Sequence, residues 1–361
     1  MTEKKKPTLS PRNIHHGAFV SEGRMVAFPT CFPGASIPIT ADESHITALD
    51  VTGEGDVYGG TGGKKTHLFV GMFRGVTGAV FDMGVVEGAN QCAAICCGRR
   101  RFAAFVNGKD GGRILSRRLQ GLPFDLIQEW GFSRPPFAEI GTVGGGERIV
   151  HAVPDASRRL AVGTAEKHLF VVDLNEMKIN VAGSVKGRGR IAAGMKYFYG
   201  LDESETLWRF DAGSRRLERR AVTLPKGAWD QGKIQWTGDP NDGTLYAADD
   251  EGRLFAFREE TGFTPNLGQT PLAPVTTMAV TRDGRVYGTC GEEMSHFFTC
   301  HPVRKELRDL GVALSTIERR RYGYLFGDAA VGRDGEIYFG EDDDLGHLWI
   351  YFPSIEAAGR V

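Results

Sequence analysis

The feature that most constrains this chain is a figure that returns along it. An apolar strand, a turn rich in Asp and Gly, and a second strand with Tyr, Gly and Thr run from Ala48-Leu49-Asp50-Val51 to Val57-Tyr58-Gly59-Gly60-Thr61. The same order runs from Thr277-Met278-Ala279-Val280 to Val286-Tyr287-Gly288-Thr289, and from Asp328-Ala329-Ala330-Val331 to Ile337-Tyr338-Phe339-Gly340. The turns between them read Gly53-Glu54-Gly55, Arg282-Asp283-Gly284 and Arg333-Asp334-Gly335. Asp-Gly between alternating apolar residues is a hairpin signal, because glycine reaches positive φ at no steric cost. A unit of this kind cannot bury its apolar face alone and stacks on copies of itself.

Weaker copies fill the intervals. His151-Ala152-Val153 leads to Leu160 through Thr164, and Trp236-Thr237 leads through Asn241-Asp242-Gly243 to Leu245-Tyr246-Ala247. Ala94 to Phe105 and Ile191 to Gly200 keep two strands with shorter turns. A third strand opens on His67-Leu68-Phe69, His168-Leu169-Phe170, His296-Phe297-Phe298 and His347-Leu348-Trp349, with Arg113, Thr206 and Arg253 at the same place in the other units. These openers recur every 38 to 55 residues. A fourth strand recurs around Asp82-Met83-Gly84, Asp309-Leu310-Gly311 and, less closely, Asn266-Leu267-Gly268.

Four strands per unit without helical periodicity predict an all-β fold, a seven-bladed β-propeller of four-stranded antiparallel blades. The last unit lacks a fourth strand, and an open edge exposes unpaired backbone groups. Gly23 to Pro29 is expected to supply it, closing the ring. The expected organisation is a tail over 1–16 and one propeller domain over 17–361. Phe132 to Gly141 reads as a connection from one blade's outer strand to the next blade's inner strand.

The net charge of −1 and pI near 6.8 give no long-range field to gather nucleic acid or an anionic membrane. Lys4-Lys5-Lys6 and Arg319-Arg320-Arg321 read as a solvated tail and a loop. Met1 to Ser10 has lysines with no apolar stretch behind them, so a cytoplasmic protein is expected, or a secreted or periplasmic one if a signal has been removed. The six cysteines, Cys31, Cys92, Cys96, Cys97, Cys290 and Cys300, lack metal-knuckle spacing and read as buried thiols.

Candidate functional residues fall in two sets. Second-to-third-strand loops and inter-blade loops emerge on one face, so His67, His168, His296 and His347 are expected there with Arg113 and Arg253. A polar residue repeated at a strand start also serves simply to fix a loop, and third strands stand too far from the axis for these imidazoles to converge on one metal. The inner-strand position is different: it reads Ala48, His151, Trp236, Thr277 and Asp328, and a position that varies between blades is not serving the repeat. His151, Trp236 and Asp328 are costly on a packed strand unless partnered, and His45 joins them just ahead of its strand.

The architecture resembles the propellers of the kelch and WD40 type, without the Trp-Asp pair and without the kelch double glycine in regular form. The histidines with arginine resemble propeller polysaccharide lyases that act on uronic acids, such as oligogalacturonate and rhamnose-glucuronate lyases. No ligand set matches residue by residue, so the resemblance assigns no catalytic residue. It implies β-elimination on an acidic oligosaccharide or polysaccharide, in which arginine or a divalent cation (calcium or manganese) neutralises the carboxylate. A base then takes the neighbouring proton. On this reading His67, His168, His45 and His151 are candidates for base or metal ligand, Arg113 and Arg253 bind carboxylate, and Trp236 stacks on a sugar ring. Asp328, His296 and His347 join the substrate-binding set. The alternative class is a non-catalytic propeller that binds a protein or a glycan.

Overall fold

The computed structural model describes residues 24–29, 39–74, 77–119, 137–203, 205–229, 234–314, 322–344 and 346–353. The 1–16 tail, Cys31, Phe132 to Pro136 and Arg319 to Arg321 lie outside the described residues. The described chain forms seven antiparallel sheets arranged as the blades of a propeller. Blade 1 is His45–Val51, Val57–Gly62, Thr66–Arg74 and Thr77–Val86, from inner strand to outer. Blade 2 is Ala89–Cys97, Arg101–Gly108, Gly111–Arg118 and Ala138–Gly141, and blade 3 is Ile149–Pro154, Leu160–Ala165, His168–Asp173 and Lys178–Ser184. Blade 4 is Ala192–Ala193, Phe198–Leu201, Thr206–Asp211 and Arg216–Thr223. Blade 5 is Gln235–Gly238, Leu245–Ala248 and Arg253–Arg258, with its outer edge split between Gly262–Phe263 and Gly268–Gln269. Blade 6 is Val275–Val280, Val286–Cys290, His296–His301 and Glu306–Val312.

Blade 7 takes Phe326–Val331, Ile337–Glu341 and His347–Phe352 from the end of the chain, and its outer strand is Arg24–Pro29. Arg24 pairs with Phe352 and Pro29 with His347, so the ring closes by the expected hydrogen-bonded join. One expectation is corrected. Ala138–Gly141 is not connection but the outer strand of blade 2, held against Ile114, Leu115 and Ser116; its exposed, weakly apolar sequence hides it from a periodicity reading.

The strands follow from local chemistry. Gly55, Gly284 and Gly335 take φ of 93°, 76° and 92°, as the Asp-Gly turns require. In the second strands, the glycine after Tyr or Val makes room for the aromatic residue of the third strand. A Cβ on Gly59 would lie 2.1 Å from Phe69 Cζ, and one on Gly163 would lie 2.2 Å from Phe170 Cζ. Gly200 stands in the same relation to Trp208 at 2.3 Å. The ring therefore lies flat over backbone and seals the space between blades; Phe69, Phe170, Trp208 and Phe298 are all buried.

Five inner strands carry a bulge at one place, after Ile46, Cys92, Ile149, Val275 and Phe326. The residue just past it is Ala48, Ala94, His151, Thr277 or Asp328. A bulge re-aims side chains by inserting an extra residue in one strand. The variable position read from the sequence thus sits inside the strand, past the bulge, and not at its opening.

Candidate functional site

Third-strand openers meet carboxylates one blade at a time. His67 Nδ1 stands 3.2 Å from Asp82 Oδ1 and Nε2 stands 2.9 Å from Glu43 Oε2, and all three side chains are buried. Burial works against charge on His67, but Asp82 and Glu43 outweigh it and raise its pKa. His296 Nδ1 meets Asp309 Oδ2 at 3.0 Å, which holds that carboxyl low against the opposing effect of its burial. In both blades the Asp also accepts the N–H of the glycine two residues on, Gly84 or Gly311, at 2.8 Å. His168 Nδ1 meets Glu147 Oε1 at 2.7 Å and His347 Nδ1 meets Glu341 Oε2 at 3.2 Å.

The arginine openers behave alike. Arg253 Nε donates to Asp249 Oδ2 at 2.7 Å, and Arg113 reaches Glu139 at 3.4 Å and the Glu87 carbonyl. His45 begins the blade 1 inner strand and bridges Asp342 and Asp344 of the blade 7 loop, at 3.1 and 3.0 Å. Thr206 donates its hydroxyl to the Glu203 carbonyl.

The concave site lies elsewhere, along the ring axis. A cavity of about 570 Å³ is lined by inner-strand residues of all seven blades and opens among the turns that join first to second strands. That face is opposite the loops carrying the recurring histidines. Its size falls within the range of about 300–1,000 Å³ typical of ligand pockets.

Two ion pairs cross this cavity. Arg190 Nη1, ahead of blade 4, donates to Asp328 Oδ1 of blade 7 at 2.6 Å, and Asp328 Oδ2 accepts the Leu49 N–H at 2.7 Å. Arg158, in the blade 3 turn with φ of 59°, pairs with Asp50 of blade 1. Asp50 also accepts the N–H groups of Val51 and Cys97, at 2.9 and 2.6 Å. His151 Nδ1 accepts the Ile191 N–H at 3.3 Å. Burial, and then the charge of Arg190, push the His151 pKa well below its usual value. The ring is therefore neutral, with its proton on Nε2. Trp236 is 7% exposed, and its indole N–H has no hydrogen-bond partner. Arg282 stands at the mouth, and its guanidinium has no ion-pair partner among the described residues.

Of the ten residues singled out in the sequence, the cavity brings together His151, Trp236 and Asp328. His45, His67, His168, His296, His347, Arg113 and Arg253 stand in separate carboxylate pairs. Sequence reasoning missed Asp50, Arg158, Arg190 and Arg282. Asp50 carried the same signal as Asp328, a carboxylate inside an apolar inner strand; the arginines lie in turns and connections where charge is ordinary. Among the described residues no group of three or more His, Cys, Asp or Glu side chains is placed to hold a metal ion.

No family model matches the chain, and no curated protein matches it. Among solved structures, a chain in the crystal structure of the mitotic checkpoint complex superposes with a TM-score of 0.60 at 11% identity. The match covers 93% of this chain and 96% of that one. At that identity the likeness speaks for the fold alone, a seven-bladed β-propeller. No described helix is long and apolar enough to cross a membrane.

Proposed function

We propose that this protein is a binding propeller whose axial cavity takes an acidic oligosaccharide or the end of an acidic polysaccharide. The observation that carries this reading is an imbalance of hydrogen-bonding capacity in the cavity wall. Most of its carboxylate oxygens are spent: Asp50 and Asp328 on arginines and backbone N–H groups, Asp155 on the N–H groups of Arg159 and Leu160, and Asp239 Oδ1 on Asn241. Donors are left over. A guanidinium carries five N–H groups, and Arg158 engages its partners through Nη1 alone. Arg282, the His151 Nε2–H and the Trp236 indole N–H add to the surplus. Surplus donors suit a ligand rich in acceptors, and a carboxylate is an acceptor only.

The same tautomer favours binding over elimination. A base needs a free lone pair, and the one on His151 is occupied by Ile191 while its other nitrogen donates. The third-strand histidines, engaged by carboxylates, hold the blades in this reading.

Calorimetric titration with uronic-acid oligosaccharides and neutral ones of equal length tests the proposal, with ultraviolet absorbance followed for an unsaturated product. Acidic oligomers are expected to bind, Arg282→Ala to weaken them about tenfold, the cost of a charge-assisted hydrogen bond, and absorbance to stay flat. Equal affinity for neutral oligomers, or no heat with either, overturns the reading; rising absorbance restores elimination in its place.

A further inference from the structure

A second, smaller pocket lies on the outer part of blade 6, far along the sheet from the axis. It measures about 110 Å³ and is lined by Arg285, Thr299, His301, Arg304, Glu306 and Arg308. Strand register explains the grouping: Thr299 of the third strand stands opposite Arg308 of the outer strand, and His301 stands opposite Glu306. Side chains two apart on a strand share a face, so these four project together. Arg285 closes one side, itself buried, fixed by Asp283 at 2.7 Å and lying over the Tyr287 ring at 5.5 Å.

The pocket is too small for the ligands of ordinary binding clefts, which occupy about 300 Å³ or more, so its occupant is one compact group. Thr299 is 2% exposed, and its hydroxyl has no partner. An orphaned hydroxyl at that depth costs free energy unless something outside the chain satisfies it. His301 Nδ1 accepts the Arg304 N–H at 3.4 Å, which leaves a proton for Nε2 to donate. The Arg304 guanidinium forms no ion pair among the described residues. Three guanidinium groups and two further donors converge on this one small space with a single carboxylate, Glu306, whose Oε1 stands 3.6 Å from Arg308 Nε and leaves Oε2 to accept a proton.

We propose that this pocket binds a phosphate group that keeps one of its protons. Arg285, Arg304 and Arg308 face the charge, the Thr299 hydroxyl and His301 Nε2 donate to its oxygens, and Glu306 accepts the proton of the phosphate itself. Glu306 sets the selectivity: sulfate presents the same tetrahedron without a proton and meets the carboxylate as a bare repulsion. The site shares no lining residue with the axial cavity.

Calorimetric titration of the intact protein with inorganic phosphate, with sulfate, and with chloride at matched ionic strength tests this. Phosphate is expected to bind at least tenfold more tightly than sulfate. Arg304→Ala, on the surface, should weaken it about tenfold and Thr299→Val about fivefold, the losses expected for a charged and a neutral hydrogen bond. The axial variant Arg282→Ala should bind phosphate as the parent does. Glycerol phosphate separates the two sources of the group: binding as tight as inorganic phosphate assigns the pocket to an ester, and weaker binding assigns it to the free ion. Phosphate that binds no better than chloride, sulfate that matches phosphate, or an Arg304→Ala protein with unchanged affinity overturns the proposal.

Discussion

Replacing His67 by Gln tests what the recurring third-strand histidine does. In the parent, an imidazolium lies 2.9 Å from Glu43 and 3.2 Å from Asp82, with all three side chains less than 10% exposed. At an effective dielectric near 20 each contact gains about 5 kcal/mol, and desolvation of three buried groups takes back most of the sum. Removing the cation leaves two carboxylates facing each other in low dielectric, relieved in part by Lys65 at 3.8 Å from Glu43 and by the Gly84 N–H on Asp82. The expected loss is about 3–5 kcal/mol, the usual cost of breaking a buried pair from one side. The sign with pH follows from the raised pKa of His67. Its contribution is complete below the unfolded value of about 6.5 and disappears as pH rises through the higher folded value. Urea unfolding of parent and variant, followed by tryptophan fluorescence between pH 5.5 and 9, should therefore show a gap that is widest at the acid end and narrows with rising pH. A gap under about 1 kcal/mol at pH 6, or one that widens with pH, refutes the reasoning.

Gly59→Ala places a Cβ 2.1 Å from Phe69 Cζ and should cost about 1–3 kcal/mol by overpacking. Gly53→Ala, with nothing within 4 Å, should leave the thermal midpoint almost unchanged; equal midpoints for the two variants would contradict the flat-ring packing. Arg190→Met should cost about 1–3 kcal/mol by leaving the part-buried Asp328 with only the Leu49 N–H among its named partners, and Arg190→Met with Asp328→Asn should cost less than the sum of the single changes, with a coupling of about 0.5–3 kcal/mol in a double-mutant cycle. Strict additivity would mean that the cross-channel pair does not brace the ring. Burial raises the thiols of Cys92 and Cys290 to about 12 and that of Cys300 to about 11, and drives Cys96 and Cys97 up as well. Mass spectrometry after iodoacetamide at pH 8 should find these five unmodified in the native protein and all five labelled in urea.

What was legible in the sequence is what the repeat must restate in every blade. Turn glycines, the apolar alternation and the His-Leu-Phe figure recur because each blade solves one packing problem, and Gly59 beneath Phe69 or Gly163 beneath Phe170 shows the solution. The partners of the histidines were half legible. Asp82 and Asp309 lie 15 and 13 residues beyond their histidines, inside an Asp-x-Gly figure that itself recurs. Glu43 and Glu147 come from connections ahead of their blades, 24 and 21 residues before their histidines, while Glu341 closes the second strand of its own blade, so no fixed spacing points to them. The cross-channel pairs were not legible at all. Asp50 and Arg158 are 108 residues apart, and Arg190 and Asp328 are 138 apart. Which blades face each other across the axis depends on the number of blades and on closure by Arg24–Pro29, and no local pattern records that angle.

The division of labour inside the ring follows from the same distinction. A third-strand opener touches its own blade and the loops beside it, so a charged residue there finds a carboxylate nearby and the device is copied with the repeat. Of the residues past the inner-strand bulges, Ala94, His151 and Asp328 line the axial cavity, where their neighbours belong to other blades. Ala94 avoids any polar cost there, while His151 and Asp328 incur one of about 1–3 kcal/mol each unless satisfied. Asp328 meets its cost through Arg190 and the Leu49 N–H, which ties blade 7 to blades 1 and 4 at once. His151 meets only half of its own, through Ile191, and presents its remaining proton to the cavity. That proton stands beside unspent donors on Arg158 and Arg282, the surplus on which the proposed acidic ligand rests.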